Sequence, residues 1–320
     1  MRLAPSPWAR ILIFLLFGMA LLALPSLTTN YTLRLVNNAG IYMLLVLGLN
    51  FILGFAGQLS FAQVGFFAIG AYVSALMTLD LGVPFFAGIG AAVLATGVCA
   101  IVLGMPTLKL RGYYLALATF AFAEIVRHVA TNWSEVTRGA AGVVGIPPAT
   151  IGTLTLVTDR QYYYLILVVV VLGYLVAVAV QNSKFGRSFE AIRESEVAAQ
   201  AMGIHSPARK LLAFTLSGVY GGIAGSLHAH LFSVVSPDEF SFDVSIVVLV
   251  ALLLGGSGSP LGAVVGAALM IALPEFLRFL QQYYQIVYGL GIVALMVFMP
   301  EGLIGLGRRL AAGGDWRGRE

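Results

Sequence analysis

Long apolar stretches follow one another from Ile11 to Leu306, and short polar stretches separate them. A helix needs about 20 apolar residues to cross the hydrocarbon core of a bilayer. On that measure the pattern predicts about ten spans, or about eight if the third and eighth are not separate spans. They lie at residues 9–27, 38–56, 61–80, 84–104, 112–130, 162–181, 211–232, 243–257, 261–280 and 285–304. We therefore expect an all-α fold, a polytopic transmembrane helical bundle that forms a single domain over residues 1–320, with some helices broken by glycine.

Composition agrees with this pattern. Hydrophobic residues make up 59% of the chain and charged residues only 10%, and the mean hydropathy is +0.94. A soluble domain carries roughly 25% charged residues, so most of this surface must face lipid. The net charge of +4 is spread over short loops and does not indicate a nucleic-acid partner.

The distribution of basic residues predicts the orientation of the bundle. With the N-terminus inside, ten spans place 13 Lys and Arg residues inside and 5 outside. Cytoplasmic loops carry an excess of Lys and Arg, so this orientation is favoured over its inverse. It predicts cytoplasmic termini, a periplasmic loop at 131–161 and a cytoplasmic loop at 182–210.

Two apolar stretches are interrupted by glycine and polar residues, at 54–65 and 255–262. Backbone that leaves a helix at membrane depth must be buried in protein or line a wet cavity. Such interruptions in two halves of a transporter are typical of a translocation pathway. We therefore predict that four polar residues lie on or near the pathway: Asn50, Gln58, Ser60 and Gln63. Asn50 would share a face with Gln58 if the helix continues. Ordinary loops at the inner surface are the alternative.

The longest polar stretch of the chain, Gln181–Lys210, lies between two apolar stretches. It is typical of a helix, with Ser188 as the N-cap and Gly203 as the C-terminal stop. Glu190 and Glu194 are four residues apart and several alanines keep the helix slim. Such a helix fits into a groove of a partner protein. A plain connecting loop is the alternative.

Motifs for catalysis, metal binding and nucleotide binding are absent from the sequence. The dipeptide Gly-Lys of a P-loop does not occur, so a nucleotide that drives this protein would bind another subunit. His228 and His230 diverge on a helix and cannot share a metal, and we expect them at the membrane interface. Glu124 with Arg127 and His128, and Glu275 with Arg278, have the spacing of interfacial ion pairs. We predict neither catalytic nor metal-ligating residues.

Several segments resemble one family in order. GLNFILGFAGQLSFAQVGFFAIGAYVSAL (48–76), SKFGRSFEAIRESEVAAQAMGI (183–204) and VSPDEFSFDVSIVVLVALLLGGSGSPLGAVVGA (235–267) are similar to the LivM-type permease subunit of branched-chain amino acid ABC importers. The resemblance covers roughly residues 35–306. Arg138 is a departure, because it stands where the family usually carries a glycine of its periplasmic loop.

The resemblance implies a permease subunit of the bacterial inner membrane that imports branched-chain or related amino acids and is not itself an enzyme. Its implied partners are a LivH-type permease, two ATP-binding cassette subunits that hold ATP and Mg, and a periplasmic solute-binding protein. It also implies that Glu190, Ala191 and Gly203 couple the permease to the ATPase, and the spacing adds Glu194 to them.

Two other classes of function remain as alternatives. An ion-coupled secondary transporter would need acidic or amide groups at mid-membrane and no docking helix. A membrane-embedded enzyme would need a clustered nucleophile, metal set or acid–base pair, and the sequence shows none.

Overall fold

The structure is a computed structural model that describes residues 19, 21–26, 28–107, 110, 112–152, 154–277, 289–290 and 302–305. The predicted spans 9–27 and 285–304, and the predicted partner Arg278, lie wholly or largely outside these residues. The long helices are α1 (Asn30–Leu49, continued by a π-helical turn, Asn50–Phe55), α2 (Ala62–Asp80), α3 (Phe85–Thr107), α4 (Tyr113–Asn132), α6 (Asp159–Gln181) and α9 (Ser206–Phe232). The shorter helices are α5 (Ser134–Thr137), α7 (Lys184–Glu194), α8 (Glu196–Ala201), α10 (Phe242–Gly255) and α11 (Pro260–Phe276).

The described part of the chain is predominantly helical, as expected, and eight of the ten predicted spans coincide with one of these helices. Among the described residues, five helices are long and apolar enough to cross a membrane: Asn30–Phe55, Ala62–Asp80, Phe85–Thr107, Asp159–Gln181 and Ser206–Phe232. Helices α10 and α11 are apolar but shorter. The chain is therefore a multi-pass helical membrane protein.

Helices α1, α2 and α9 form the centre of the bundle. In α1 and α2, 78% and 72% of the most apolar 18-residue stretch is buried. In α3 and α6 the buried share is only 28% and 22%. Phe51, Phe66 and Phe214 are fully buried where the central helices meet. Helices α3 and α6 therefore lie at the periphery, where lipid or another protein covers them.

Small residues set the close approach of the central helices. A Cβ atom added to Gly70 of α2 would lie 2.5 Å from the Cα of Gly222 in α9. Beside this contact, Ser74 and Ser226 share a hydrogen bond of 2.6 Å between their hydroxyls. The spacing Gly221-x-x-x-Gly225 thus serves close helix packing, which is its usual role in membranes.

One end of the bundle carries α7 and α8 and is called the α7 end here. At the opposite end, the loop over 131–161 folds against the bundle. Its strand β1 (Val143–Val144) pairs antiparallel with β4 (Val234–Val235), which follows α9. A second pair joins β2 (Thr150–Ile151) to β3 (Leu154–Thr155). Short 3-10 turns lie at Gly139–Ala141 and Pro237–Phe240. The loop therefore has defined secondary structure.

Tyr162 holds this loop to the helices. Its hydroxyl accepts the N–H of Ala149 at 2.9 Å and donates to the carbonyl of His230 at 2.9 Å. Arg138, in the same loop, has a φ of 63°, the conformation that glycine adopts most readily. Its guanidinium pairs with Asp80 at 3.1 Å. This exposed ion pair joins the loop to the end of α2.

The two histidines expected at the membrane interface are buried within the protein. His228 is 8% exposed and packs against Phe67, and His230 is 1% exposed and packs against Phe85. His228 Nε2 lies 3.2 Å from Glu239 Oε2, in the turn that precedes α10. By contrast, the pair in α4 has the expected geometry, with Arg127 Nη2 at 2.9 Å from Glu124. Glu275 accepts the hydroxyl of Tyr31 at 2.8 Å.

We predict that Gly225→Ala destabilises the protein by about 1–3 kcal/mol, the usual cost of overpacking a core. The added methyl group would meet the Phe67 carbonyl and lie 2.5 Å from the amide nitrogen of Ala71, and neither backbone atom can move aside alone. Gly97→Ala in α3 is the matched control, because nothing lies within 4 Å of its added Cβ. Thermal unfolding in detergent should show a lower midpoint for the first variant only. Equal midpoints would contradict the close packing.

Candidate functional site

The polar stretch at the α7 end forms two short helices. Ser183 caps α7, and its Oγ accepts the N–H of Phe185 at 3.1 Å. Ser195 is extended and separates the helices, and its Oγ accepts the N–H of Ala198 at 3.3 Å to cap α8. The prediction of one helix capped by Ser188 is therefore wrong. Ser188 lies inside α7 and donates to the Lys184 carbonyl at 2.8 Å. Serine competes for backbone groups in this way and favours helix ends.

Gly203 ends the second helix as predicted. Its φ is +81°, and its N–H donates to the carbonyl of Gln200 at 2.9 Å. This left-handed conformation is the usual glycine stop after a helix. It turns the chain toward α9, which begins at Ser206.

Helix α7 is anchored on one face and open on the other. Phe189 is fully buried and Ile192 is 6% exposed, so these two side chains hold α7 against the bundle. Glu190 and Glu194 are exposed, and Ala191 is half-buried. Apart from Arg193, whose guanidinium bonds the bundle, the exposed residues from 184 to 203 are called the α7–α8 surface: Lys184, Phe185, Arg187, Glu190, Glu194, Ser195, Val197, Ala198, Gln200, Ala201, Met202 and Gly203.

The α7–α8 surface combines charge with apolar area. Val197 and Met202 are 70% and 84% exposed on α8, close in sequence to the exposed glutamates of α7. Apolar side chains ringed by charges on an exposed surface are typical of a protein contact. The surface therefore has the chemistry of a docking site.

A buried ion pair fixes α8 to the start of α9. Lys210 Nζ lies 2.6 Å from Glu196 Oε1, and the Lys210 side chain is only 4% exposed. Removal of one partner from such a buried pair leaves an uncompensated charge and is strongly destabilising. The pair therefore fixes the direction in which α8 leaves the bundle.

The two interrupted segments predicted from the sequence meet at the α7 end. Asn50 Oδ1, at the start of the π-helical turn, accepts the N–H of Gly258 at 2.9 Å. Gln181, at the end of α6, donates to the Gly258 carbonyl at 3.1 Å. Arg193 of α7 donates from Nη1 to the Gly54 carbonyl at 2.7 Å. These five residues, Asn50, Gly54, Gln181, Arg193 and Gly258, are called the glycine junction.

The four predicted pathway residues do not share one surface. Asn50, Ser60 and Gln63 are at most 2% exposed. Gln63 accepts the Ser217 hydroxyl and also donates to the Ser217 carbonyl at 3.4 Å, which joins α2 to α9. Gln58 is half-buried and lines a cavity of about 400 Å³ together with Arg193 and Lys210. A pathway role for these four residues stays a prediction.

The helix does not continue from Asn50 to Gln58, so the condition for a shared helical face is not met. The helix widens into the π-helical turn at Asn50–Phe55 and ends there, because Gly57 adopts a φ of +67°. Gln58 therefore belongs to the irregular segment that leads into α2.

Sequence reasoning missed two members of the glycine junction, Gln181 and Arg193. Arg193 entered only as one basic charge among those that predict orientation, and Gln181 only as the end of a span. Asn50 and Gly258 are 208 residues apart, so local pattern does not reveal their contact. Within the described ranges, no three His, Cys, Asp or Glu side chains come together as metal ligands.

Comparison with known proteins identifies the family to which this chain belongs. The family described as the branched-chain amino acid transport system, permease component, matches residues 31–298. The high-affinity branched-chain amino acid transport system permease proteins LivM of Salmonella typhimurium and Escherichia coli are each 34% identical over 320 residues, 92% of this chain and 75% of theirs. The corresponding protein LivH of Escherichia coli is 23% identical over 286 residues, 82% of this chain and 91% of its own. No solved structure matches the chain.

We predict that Asn50→Ala destabilises the protein by about 1–3 kcal/mol, because it leaves the half-buried N–H of Gly258 without its acceptor. Asn132→Ala is the control, since Asn132 is exposed and bonds only the His128 carbonyl one turn away. That change should stay within about 0.5 kcal/mol. Unfolding midpoints in detergent measure both. A loss of equal size in the two variants would contradict the role given to Asn50.

Proposed function

Because this chain belongs to the permease component family of the branched-chain amino acid transport system, we propose that it is the membrane-spanning permease subunit of an ATP-driven importer. Its substrates are branched-chain or related amino acids, delivered by a periplasmic solute-binding protein. It resides in the bacterial inner membrane with both termini in the cytoplasm. It is a transport subunit rather than an enzyme.

One observation supports this proposal most directly. An apolar multi-pass bundle carries the charged and exposed α7–α8 surface at one end, and the sequence contains no P-loop of its own. A permease subunit that binds no nucleotide, in a transporter driven by ATP, needs such a surface to contact a separate ATPase subunit. The importer contains two ATP-binding cassette subunits that bind ATP and Mg, and they dock at the α7 end.

Four residues of α7 and its surroundings have separate parts in this contact. Glu190 and Glu194 present carboxylates to the ATPase, and the small side chain of Ala191 leaves room for close approach. Gly203 sets the direction of the chain after α8. The buried Phe189 and Ile192 transmit force into the bundle, because close-packed side chains cannot yield far without a repacking of their neighbours.

The second permease subunit is of LivH type and forms a heterodimer with this chain. The sequence identity of 23% between this chain and LivH supports a heterodimer of two related subunits around one pathway. The peripheral helices α3 and α6 supply exposed apolar faces for lipid and for this partner. The solute-binding protein docks at the opposite end, where the 131–161 loop is tied down by Tyr162. ATP-driven closure of the two ATPase subunits then switches the side of the membrane to which the pathway opens.

We predict that Glu190→Lys weakens association with the ATPase by about tenfold or more, since reversal of an interfacial charge costs at least about 1.4 kcal/mol. Insertion into the membrane should be unchanged, because Glu190 is exposed. Co-purification from detergent measures the association, and the amount of protein in the membrane fraction measures insertion. Glu135→Lys is the control, with the same charge change on an exposed residue of the 131–161 loop. Equal ATPase recovery from all three proteins would contradict the docking role.

We also predict that uptake requires a hydrolytically active ATPase partner. Cells that carry this chain with a catalytically inactive ATPase should accumulate no labelled leucine, isoleucine or valine above background. An uncoupler applied while ATP is held constant should leave uptake by the intact system unchanged. Uptake that survives the inactive ATPase and stops with the uncoupler would favour the ion-coupled secondary transporter instead.

A further inference from the structure

Arg193 extends from α7 into the bundle. Its backbone lies near the end of α7, yet its guanidinium donates to the carbonyl of Gly54 at 2.7 Å. A charge-assisted hydrogen bond of this length is among the stronger polar contacts in proteins. Gly54 belongs to the π-helical turn of α1, and turns of this kind often occur at functional sites. One side chain thus joins α7 to the irregular part of α1.

Two glycines leave room for this side chain. A Cβ atom on Gly57 would lie 2.8 Å from Arg193 Cγ, and one on Gly258 would lie 2.8 Å from Arg193 Nη1. Both glycines have positive φ, at +67° and +84°. The stem of Arg193 therefore passes over the first interrupted segment, and its head lies against the second. No side chain other than hydrogen fits at either glycine without displacing the arginine.

The remaining bonds of the glycine junction extend this contact. Gly258 donates to Asn50 in α1 and accepts from Gln181 at the end of α6, so α6 and the turn before α11 share the same point. The buried side chains of α7, Phe189 and Ile192, hold the helix by packing, which has no preferred direction. Arg193 adds a directional bond, and a displacement of α7 must carry or break it.

From this geometry we infer that Arg193 is the positioning residue that transmits displacement of α7 to both interrupted segments. When α7 moves with its docked partner, the Arg193 bond pulls the π-helical turn at Gly54 and releases or presses the Gly258 turn. The inference rests on the proposed function, because the displacement of α7 comes from the ATPase. It is separate from docking, because the guanidinium contacts the bundle rather than the α7–α8 surface.

The test uses the complete transporter in proteoliposomes, with the partner permease, both ATPase subunits and the solute-binding protein. In Arg193→Met the apolar stem over Gly57 is kept and every hydrogen-bond donor is lost. Uptake per ATP hydrolysed should fall by about tenfold, an ordinary size for coupling between two sites. Recovery of the ATPase on purification should be unchanged. Arg193→Lys should restore part of the coupling, because an ammonium group can still donate to the carbonyl.

Arg127→Met is the matched control for the loss of an arginine. Arg127 of α4 also donates to an oxygen at 2.9 Å, that of Glu124, but at the opposite end of the bundle. This variant should keep the uptake per ATP of the unaltered transporter, even if it is less stable.

Gly258→Ala tests the same contact while the sequence of α7 is left unaltered. It provides the test if the Arg193→Met protein fails to accumulate. The added methyl group would press on the guanidinium and on the Gly54 carbonyl, at 2.8 and 3.2 Å. Gly82→Ala controls for backbone strain, since Gly82 has a φ of +63° and nothing within 4 Å of an added Cβ. Only the first should lower uptake per ATP.

The outcomes separate this inference from the proposed function. A fall in uptake per ATP for Arg193→Met and Gly258→Ala, with the controls unchanged, supports it. An unchanged ratio in both variants overturns it, and so does a parallel loss of uptake and hydrolysis, which indicates a purely structural role. Absence of ATP-driven uptake by the unaltered complex would contradict the proposed function, and this inference with it.

Discussion

Backbone amides and carbonyls that leave a helix inside an apolar bundle must find hydrogen-bond partners within the protein. This constraint explains why the two interrupted segments meet. The N–H of Gly258 finds Asn50, its carbonyl finds Gln181, and the carbonyl of Gly54 finds Arg193. Each irregular segment is thus completed by side chains from other parts of the chain. The bond from Arg193 also holds α7 directly on the irregular backbone.

The rest of the bundle is built for close contact between backbones. Gly70 meets Gly222, and Gly225 meets the backbone of α2, so α2 and α9 are in contact over much of their length. The ion pair between Lys210 and Glu196 continues this rigid unit to α8. Close-packed interiors have low compressibility. A force applied to the α7–α8 surface therefore reaches the central helices with little loss in deformation of side chains.

The sequence predicted the parts of this fold that depend on local pattern. Apolar length located eight of the helices, and Gly203 marked the end of α8. Local pattern failed where competing signals lay close together, as at Ser188 and Ser195, both of which have a hydroxyl suited to a cap. It also did not reveal that His228 and His230 are buried, because the aromatic rings of Phe67 and Phe85 that contact them come from distant elements. The bonds of the glycine junction join segments far apart in sequence, and no periodicity encodes them.

The π-helical turn at Asn50–Phe55 gives α1 a property that a uniform helix lacks. A wide turn holds one residue more in each hydrogen-bonded ring than an α-helical turn does. If it tightens to the ordinary ring, the segment that follows the turn rotates relative to α1 by about 100°, the angular step of one residue. Such a register change needs no unfolding of α1 and changes which side chains of that segment face the interior. The turn is thus a hinge at the end of the most deeply buried of the long helices that the structure describes.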